Sequence, residues 1–326
     1  MTIEVASADA PLSPESAVKA AAALWGETAT ARTSEPIRGW LDSNLVLREC
    51  VHRRLNGNPD DDWLMGLVKR LAIPPTGRWL SLGCGTAGTE ILAGSLGMYA
   101  SMLALDVAEP AIEVARRTAA EKGVERIEFG TVDLNALTLP PAAFDVVLMC
   151  MSLHHVAALE RVMRTVRRSL KPGGWFLINE FVGPAQFQFP DHQLAVVRDL
   201  LAALPNRLRM DCTTGRLKTE YRRCPPEHWN RWDPSEAVRS DEIVPLLYRH
   251  FDVALQLDYG GTVLNLLLEH IVHNFDCRKR ADVELFHLLA RTEELLIRQG
   301  VLRNDFTVMA MHQTGWRDRL RRAWRD

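Results

Sequence analysis

Gly83, Gly85 and Gly88 stand in a G-x-G-x-x-G spacing directly after the apolar run Trp79–Leu82. A glycine turn between a strand and a helix lets backbone come close to a ligand, because no Cβ intervenes. Such a turn suits the pyrophosphate of a nicotinamide dinucleotide or a flavin, or the adenosyl part of another cofactor. The spacing alone is a weak signal. Asp106 lies 18 residues beyond Gly88, where an acid commonly accepts ribose hydroxyls. A dinucleotide reading is compatible with both features.

Three further features turn the reading away from a dinucleotide. Asp133 closes the next apolar run, so its carboxylate is expected on the same sheet edge as Asp106. One acid can then hold the ribose while the other accepts the exocyclic amine of adenine. The run 144–151 leads into His154 and His155, whose imidazoles, with an ordinary pKa of ~6.5, suit base catalysis. LKPGG (170–174) delivers the run 175–181 directly after the preceding helix; this run carries Glu180 near its end, at the edge where open α/β sheets bind ligands, placed to orient an amine or hydroxyl. Each has a plainer reading: a strand-end Asp can be a turn cap, a histidine can cap the next helix, and Glu180 can be an ion-pair partner.

The elements that must position these residues alternate. Strands are predicted at 79–82, 101–106, 127–133, 144–151 and 175–181, and helices begin near Thr89 and span 108–123. Leu159, Val162, Met163, Val166 and Leu170 form one helical stripe, which LKPGG (170–174) stops. Later come a helix at about 192–204, a helix at 240–251 with Ser240 or Asp241 as N-cap, and a strand at 251–257. Helical sequence over 262–299 and a strand at 305–311 complete the chain, and these last two strands are expected to pair antiparallel. Nearly continuous apolar strands, each followed by a helix, predict an α/β fold with a doubly wound, mostly parallel sheet. Residues 1–75 read as a helical N-terminal cap whose first ~12 residues are disordered, with Trp25, Trp40 and Trp63 spread along it. Residues 76–315 read as the main domain, with insertions at about 183–240 and 261–300, followed by a basic tail at 316–326.

Composition excludes several classes. Of 326 residues, 47% are hydrophobic and 25% charged, with a formal net charge of -2. No global field points to nucleic acid or to a membrane surface. Six cysteines without a CxxC pair suggest buried thiols in a reducing compartment rather than a zinc site or disulfides. The N-terminus does not read as a signal peptide, and no apolar run reaches the ~18–20 residues of a membrane span. A cytoplasmic location is the expectation. His270, His273 and Cys277 read as helix-face residues, and no metal site is expected. The tail reads as a solvated face, with a partner contact such as a homodimer as the alternative.

The order GCGTAG, Asp106, Asp133, FDVVLM–LHHV and LKPGG resembles class I S-adenosylmethionine-dependent methyltransferases over about 79–182. NEFVGP, SDEIVPLLYRHFDV and YGGTVLN are similar to a bacterial subgroup acting on small molecules. The resemblance implies a seven-stranded sheet with an antiparallel last strand, and S-adenosylmethionine as cofactor. It implies that Gly83, Cys84 and Gly85 line the methionine part through backbone groups. Asp106 would hold the ribose hydroxyls, Val107 would pack on adenine, and Asp133 with the Leu134 amide would read the adenine edge. Met149 and Met151 would lie near the sulfonium. The chain departs from the pattern at Ser81, where the family usually has an acid, and at Ala87, which takes the usual third-glycine place. The cofactor's ammonium group then needs another acceptor, such as a loop carbonyl.

Methyl transfer from a sulfonium is an in-line displacement, so positioning, worth roughly 7–11 kcal/mol, is the protein's main contribution. A base is needed only where the acceptor has a proton to lose. The segment 205–232 is rich in arginine, with Tyr221, Trp229 and Trp232 interleaved. It reads as a lid over an anionic or aromatic acceptor, or as a surface excursion with snorkelling arginines. The expected function is methylation of a small-molecule O- or N-acceptor in bacterial biosynthesis. Two alternatives stay open: a cofactor-binding fold relative without methyl transfer (a cyclase or a binding protein), and a nicotinamide-dependent dehydrogenase.

Overall fold

A computed structural model describes residues 19, 20, 22–24, 26, 39–313 and 315. The expected disorder of the first residues, the place of Trp25 and the basic tail 316–326 lie outside the described residues. Seven strands form one sheet: β1 (Arg78–Leu82), β2 (Ser101–Asp106), β3 (Ile127–Thr131), β4 (Phe144–Cys150), β5 (Leu170–Phe181), β6 (Phe251–Gly260) and β7 (Phe306–Gln313). Their order is β3-β2-β1-β4-β5-β7-β6. The first five pair in parallel, whereas β7 runs antiparallel to both β5 and β6. The fold class expected from the sequence is the one found.

The central strands are apolar on both faces because helices cover both. In β1, Trp79 packs to one side and Leu80 and Leu82 to the other; in β4, Val146 and Leu148 oppose Val147 and Met149. One layer is built by α5 (Leu159–Ser169) and α8 (Ile243–His250). Leu159, Val162, Met163 and Val166 of α5 are fully buried there, as the helical stripe requires. The opposite layer holds α1 (44–56), α2 (Trp63–Leu71), α3 (Gly88–Ser95), α4 (Glu109–Glu121), α6 (Asp191–Ala203), α9 (Leu264–Leu268) and α10 (Arg280–Arg298). A short helix, α7 (Pro226–Trp232), belongs to the long excursion between α6 and α8. No helix among the described residues is long and apolar enough to cross a membrane.

Two local expectations are corrected. LKPGG does not merely stop α5: β5 already begins at Leu170, which pairs with Phe144 across a register shift. Ser240 and Asp241 do not cap α8. The Ser240 hydroxyl donates to the Gly183 carbonyl at 2.8 Å instead, tying the start of this region to the end of β5.

The N-terminal segment is fixed to the β6–β7 edge by packing and by one buried charge. Trp40 packs on Phe306 and stacks on Tyr259. Glu293 of α10 is fully buried. It accepts hydrogen bonds from the amides of Gly261, Val263 and Leu264, and pairs with Arg54 of α1 at 2.8 Å. Arg54 also donates to the carbonyls of Tyr259 and Ala290. Glu293→Ala orphans three donors and a half-buried guanidinium together. It is expected to lower unfolding free energy by about 3 kcal/mol, read as a shift of the urea midpoint.

Candidate active site

The carboxyl ends of β1, β2, β4 and β5 converge on the glycine loop. Gly83 has φ +72°, and a Cβ there would stand 2.4 Å from Cβ of Ser152. Gly85 has φ +52°, and nothing lies within 4 Å of where its Cβ would be. The loop is therefore packed against the β4–α5 turn on one side and open on the other. Asp106 holds it in shape: its Oδ2 accepts from the Gly85 amide at 2.7 Å and its Oδ1 from the Ala108 amide at 2.9 Å. Each carboxylate oxygen keeps a second lone pair, so these bonds leave acceptor capacity for ribose hydroxyls. Ala87 adopts φ 57°. The position demands the left-handed region even without a glycine, and that strain costs roughly 1–2 kcal/mol.

The remaining cofactor candidates divide. Val107 and Leu134 are half-buried, and the Leu134 side chain lies 3.7 Å from where a Cβ at Gly83 would stand. Asp133 is half-buried, and its Oδ1 accepts from the Asn135 amide at 2.8 Å. It thus caps the short turn Leu134–Ala136, the plainer of its two readings, with its second oxygen on the same sheet edge. Burial pushes the Cys84 thiol pKa up. The expectation for Met149 fails for its side chain. Alternation along β4 turns it into the core with no exposure. Met151, past the strand end, is half-buried with φ 50°.

Glu90 of α3 went unnoticed in the sequence. It is 2% exposed, and the Ser81 hydroxyl donates to its Oε1 at 2.6 Å. The acid missing from β1 is thus replaced, in space, by one from the following helix. Burial raises the Glu90 carboxyl pKa to about 7. The available signal was an acid in the first turn of an otherwise apolar helix, opposite a serine in a strand.

At the ends of β4 and β5 the three catalytic candidates come together. Glu180 is fully buried and accepts from the amides of Ser152 (3.0 Å), Leu153 (2.6 Å) and Phe181 (2.8 Å). His154 Nδ1 donates to its other side. Both of its oxygens are thereby occupied by the protein. His154 departs from the expected ordinary imidazole. Burial opposes the charged form, but Glu180 and Glu236 outweigh it and raise its pKa to about 10. The pKa of His155 is lowered instead, by burial and by the neighbouring His154 charge.

The long excursion reaches this point through residues 233–236, beyond the segment 205–232 that the sequence offers as a lid. His154 Nε2 lies 3.5 Å from Glu236 Oε1. His155 Nδ1 lies 3.1 Å from Ser235 Oγ and 3.9 Å from Asp233 Oδ2. Asp233 in turn accepts from the amide and hydroxyl of Ser235. The D-P-S-E run signals such a turn, but nothing in the sequence says that it meets a histidine pair 80 residues earlier. Phe181, Phe187, Phe189, Tyr221 and Trp229 form a chain of ring contacts running out from His154. His270, by contrast, sits 3.7 Å from Asp211, away from this centre.

Glu180→Gln replaces one acceptor oxygen with an NH2 group facing N–H donors. The variant is expected to lose about 2–3 kcal/mol of stability, measured by urea denaturation.

Comparison with known proteins agrees with this geometry. The family described as "Methyltransferase domain" matches residues 80–178. A demethylmenaquinone methyltransferase of Thermus thermophilus is 28% identical over 43% of this chain and 64% of its own length. A ubiquinone/menaquinone biosynthesis C-methyltransferase of Ectopseudomonas mendocina is 30% identical over 40% of this chain and 52% of its own. The chain thus matches less than two thirds of either relative. A solved S-adenosylmethionine-dependent methyltransferase from Mesorhizobium loti is 18% identical, with a TM-score of 0.43 over 77% of this chain and 97% of that one. With the glycine loop, the strand-end acids and the seven-stranded sheet in place, residues 80–178 form a methyltransferase domain of the class I, S-adenosylmethionine-dependent type.

Proposed function

We propose that this protein methylates a small-molecule acceptor at oxygen or nitrogen. The observation that carries the reading is the open face of Gly85 beside the Asp106 carboxylate. Backbone there can lie against a ligand while an anionic acceptor stands at the end of β2. When bound, S-adenosylmethionine supplies an electrophilic methyl group on a sulfonium. In this reading Asp106 holds the ribose, Asp133 and the Leu134 amide face adenine with Val107 packed on it, and Gly83, Cys84, Gly85 and Met151 border the methionine end. Glu90 is the acceptor for the ammonium group that Ser81 cannot be.

The acceptor side is supported by His155, Glu236 and the wall of rings from Phe181 to Trp229. Flat aromatic walls favour an aromatic or apolar acceptor, and the rings together with the excursion exclude water. The relatives' names place them in menaquinone and ubiquinone biosynthesis, one of them as a C-methyltransferase, and so support a small-molecule acceptor without favouring oxygen or nitrogen. His154 and Glu180 position the turn that carries His155. The bacterial biosynthetic setting, the cytoplasmic location and a homodimeric assembly remain parts of this reading.

Asp106→Ala is expected to weaken S-adenosylhomocysteine binding by roughly 2–4 kcal/mol, and unchanged calorimetric affinity would contradict the assignment. Glu90 gives a second test. Its carboxyl pKa is raised from 4.5 to about 7 in the folded protein. The protonated form therefore stabilises the fold below pH 4.5, and this contribution is lost as pH rises towards 7. A bound ammonium favours the ionised carboxylate, so S-adenosylhomocysteine affinity should rise several-fold from pH 5.5 to 7.5, with proton release at the lower value. Glu90→Gln should flatten that profile. A flat wild-type profile would remove Glu90 from the site.

A further inference from the structure

We propose that His154, His155 and Glu236 bind one divalent transition-metal ion of the zinc or cobalt class. A nitrogen from each imidazole and an oxygen of Glu236 lie within 4.8 Å of one another. His154 Nε2 and Glu236 Oε1 are 3.5 Å apart. Two ligands at roughly 2.0–2.2 Å from a tetrahedral ion stand about 3.4 Å apart, so this pair already has the required separation.

The far nitrogen of each ring is also engaged. His154 Nδ1 donates to Glu180, and His155 Nδ1 faces Ser235 Oγ at 3.1 Å with the Asp233 carboxylate behind it. A ligating histidine characteristically has its other nitrogen held by a carboxylate or hydroxyl, which fixes the tautomer and aims the remaining lone pair. Here two adjacent histidines are held in this manner, and an ion would take the place of the proton between His154 Nε2 and Glu236.

The donor set selects the ion. Two imidazoles and one carboxylate suit zinc, cobalt or iron, whereas magnesium and calcium prefer an all-oxygen shell. Three protein ligands leave at least one position open, as in catalytic sites. The ligating turn begins at Ser152, which packs against Gly83 and donates to the Leu82 carbonyl at 2.9 Å. An ion there would sit next to the glycine loop and could hold an acceptor oxygen as a Lewis acid. That role rests on the methyl-transfer reading; the metal site itself does not.

The test uses full-length protein stripped with a chelator and titrated with Zn2+ or Co2+ alone, without cofactor or acceptor. One equivalent should bind, and the cobalt absorption bands should report nitrogen and oxygen ligands. His155→Gln and Glu236→Gln should weaken zinc at least tenfold, Ser235→Ala about tenfold, and His270→Gln not at all. Near-UV circular dichroism checks that each variant is folded; if Glu236→Gln is not, His155→Gln and the wild-type cobalt spectrum decide. No stoichiometric binding, or undiminished binding by the folded variants, overturns the proposal. S-adenosylhomocysteine binding is measured on the same stripped protein. Its persistence without metal binding sinks the metal site alone, and metal binding without it sinks the methyl-transfer reading alone.

Discussion

A carboxylate with no exposure to water must find donors for its oxygens, and Glu180 finds them in the turn that follows the neighbouring strand. Three backbone amides and one imidazole converge on it, so the path of residues 151–154 is dictated from β5 rather than by the turn's own preferences. The constraint propagates outward. It fixes which nitrogen of His154 is available, places Ser152 against Gly83, and sets the surface on which Glu236 lands. Burial makes the arrangement rigid, because every alternative geometry leaves a charge or an amide without a partner.

The cofactor side follows a similar logic with a weaker grip. Asp106 accepts one amide from the loop (Gly85) and one from its own turn (Ala108) while retaining further lone pairs, so the residue that shapes the loop keeps acceptor capacity beside it. Beneath it, the exchange of acid and hydroxyl between Ser81 and Glu90 keeps a carboxylate near the loop, now on helix α3. The greater burial on the helix makes protonation of that carboxylate part of its chemistry near neutral pH.

Much of this was legible before any coordinates. Strand after strand with apolar residues on both faces admits few architectures, and β2 begins and ends where its pattern places it. Asp106 could be found because strand ends and glycine turns are local signals. Met149 could not be placed by counting from the motif, since a one-residue step along a strand exchanges cleft for core. The state of His154 was hidden for another reason. A pKa reflects neighbours in space, and both carboxylates that raise it are remote in sequence. Glu236 and Asp233 were invisible on the same ground. The hydroxyl of Ser240 looked like a helix cap because its true acceptor, Gly183, lies 57 residues away.

The antiparallel pair at the edge of the sheet has a further implication. Gly260 pairs with Phe306, and the Asp305 amide donates back to the Gly260 carbonyl, so the excursion between β6 and β7 is clasped at its base. Whatever is threaded between those two points enters and leaves at one fixed gate. Length changes there cost only the slowly growing entropy of a longer loop, and the strands beneath keep their register. Exposed stretches of that excursion can therefore change in length without disturbing the sheet, provided Glu293 keeps the amides and the guanidinium it holds.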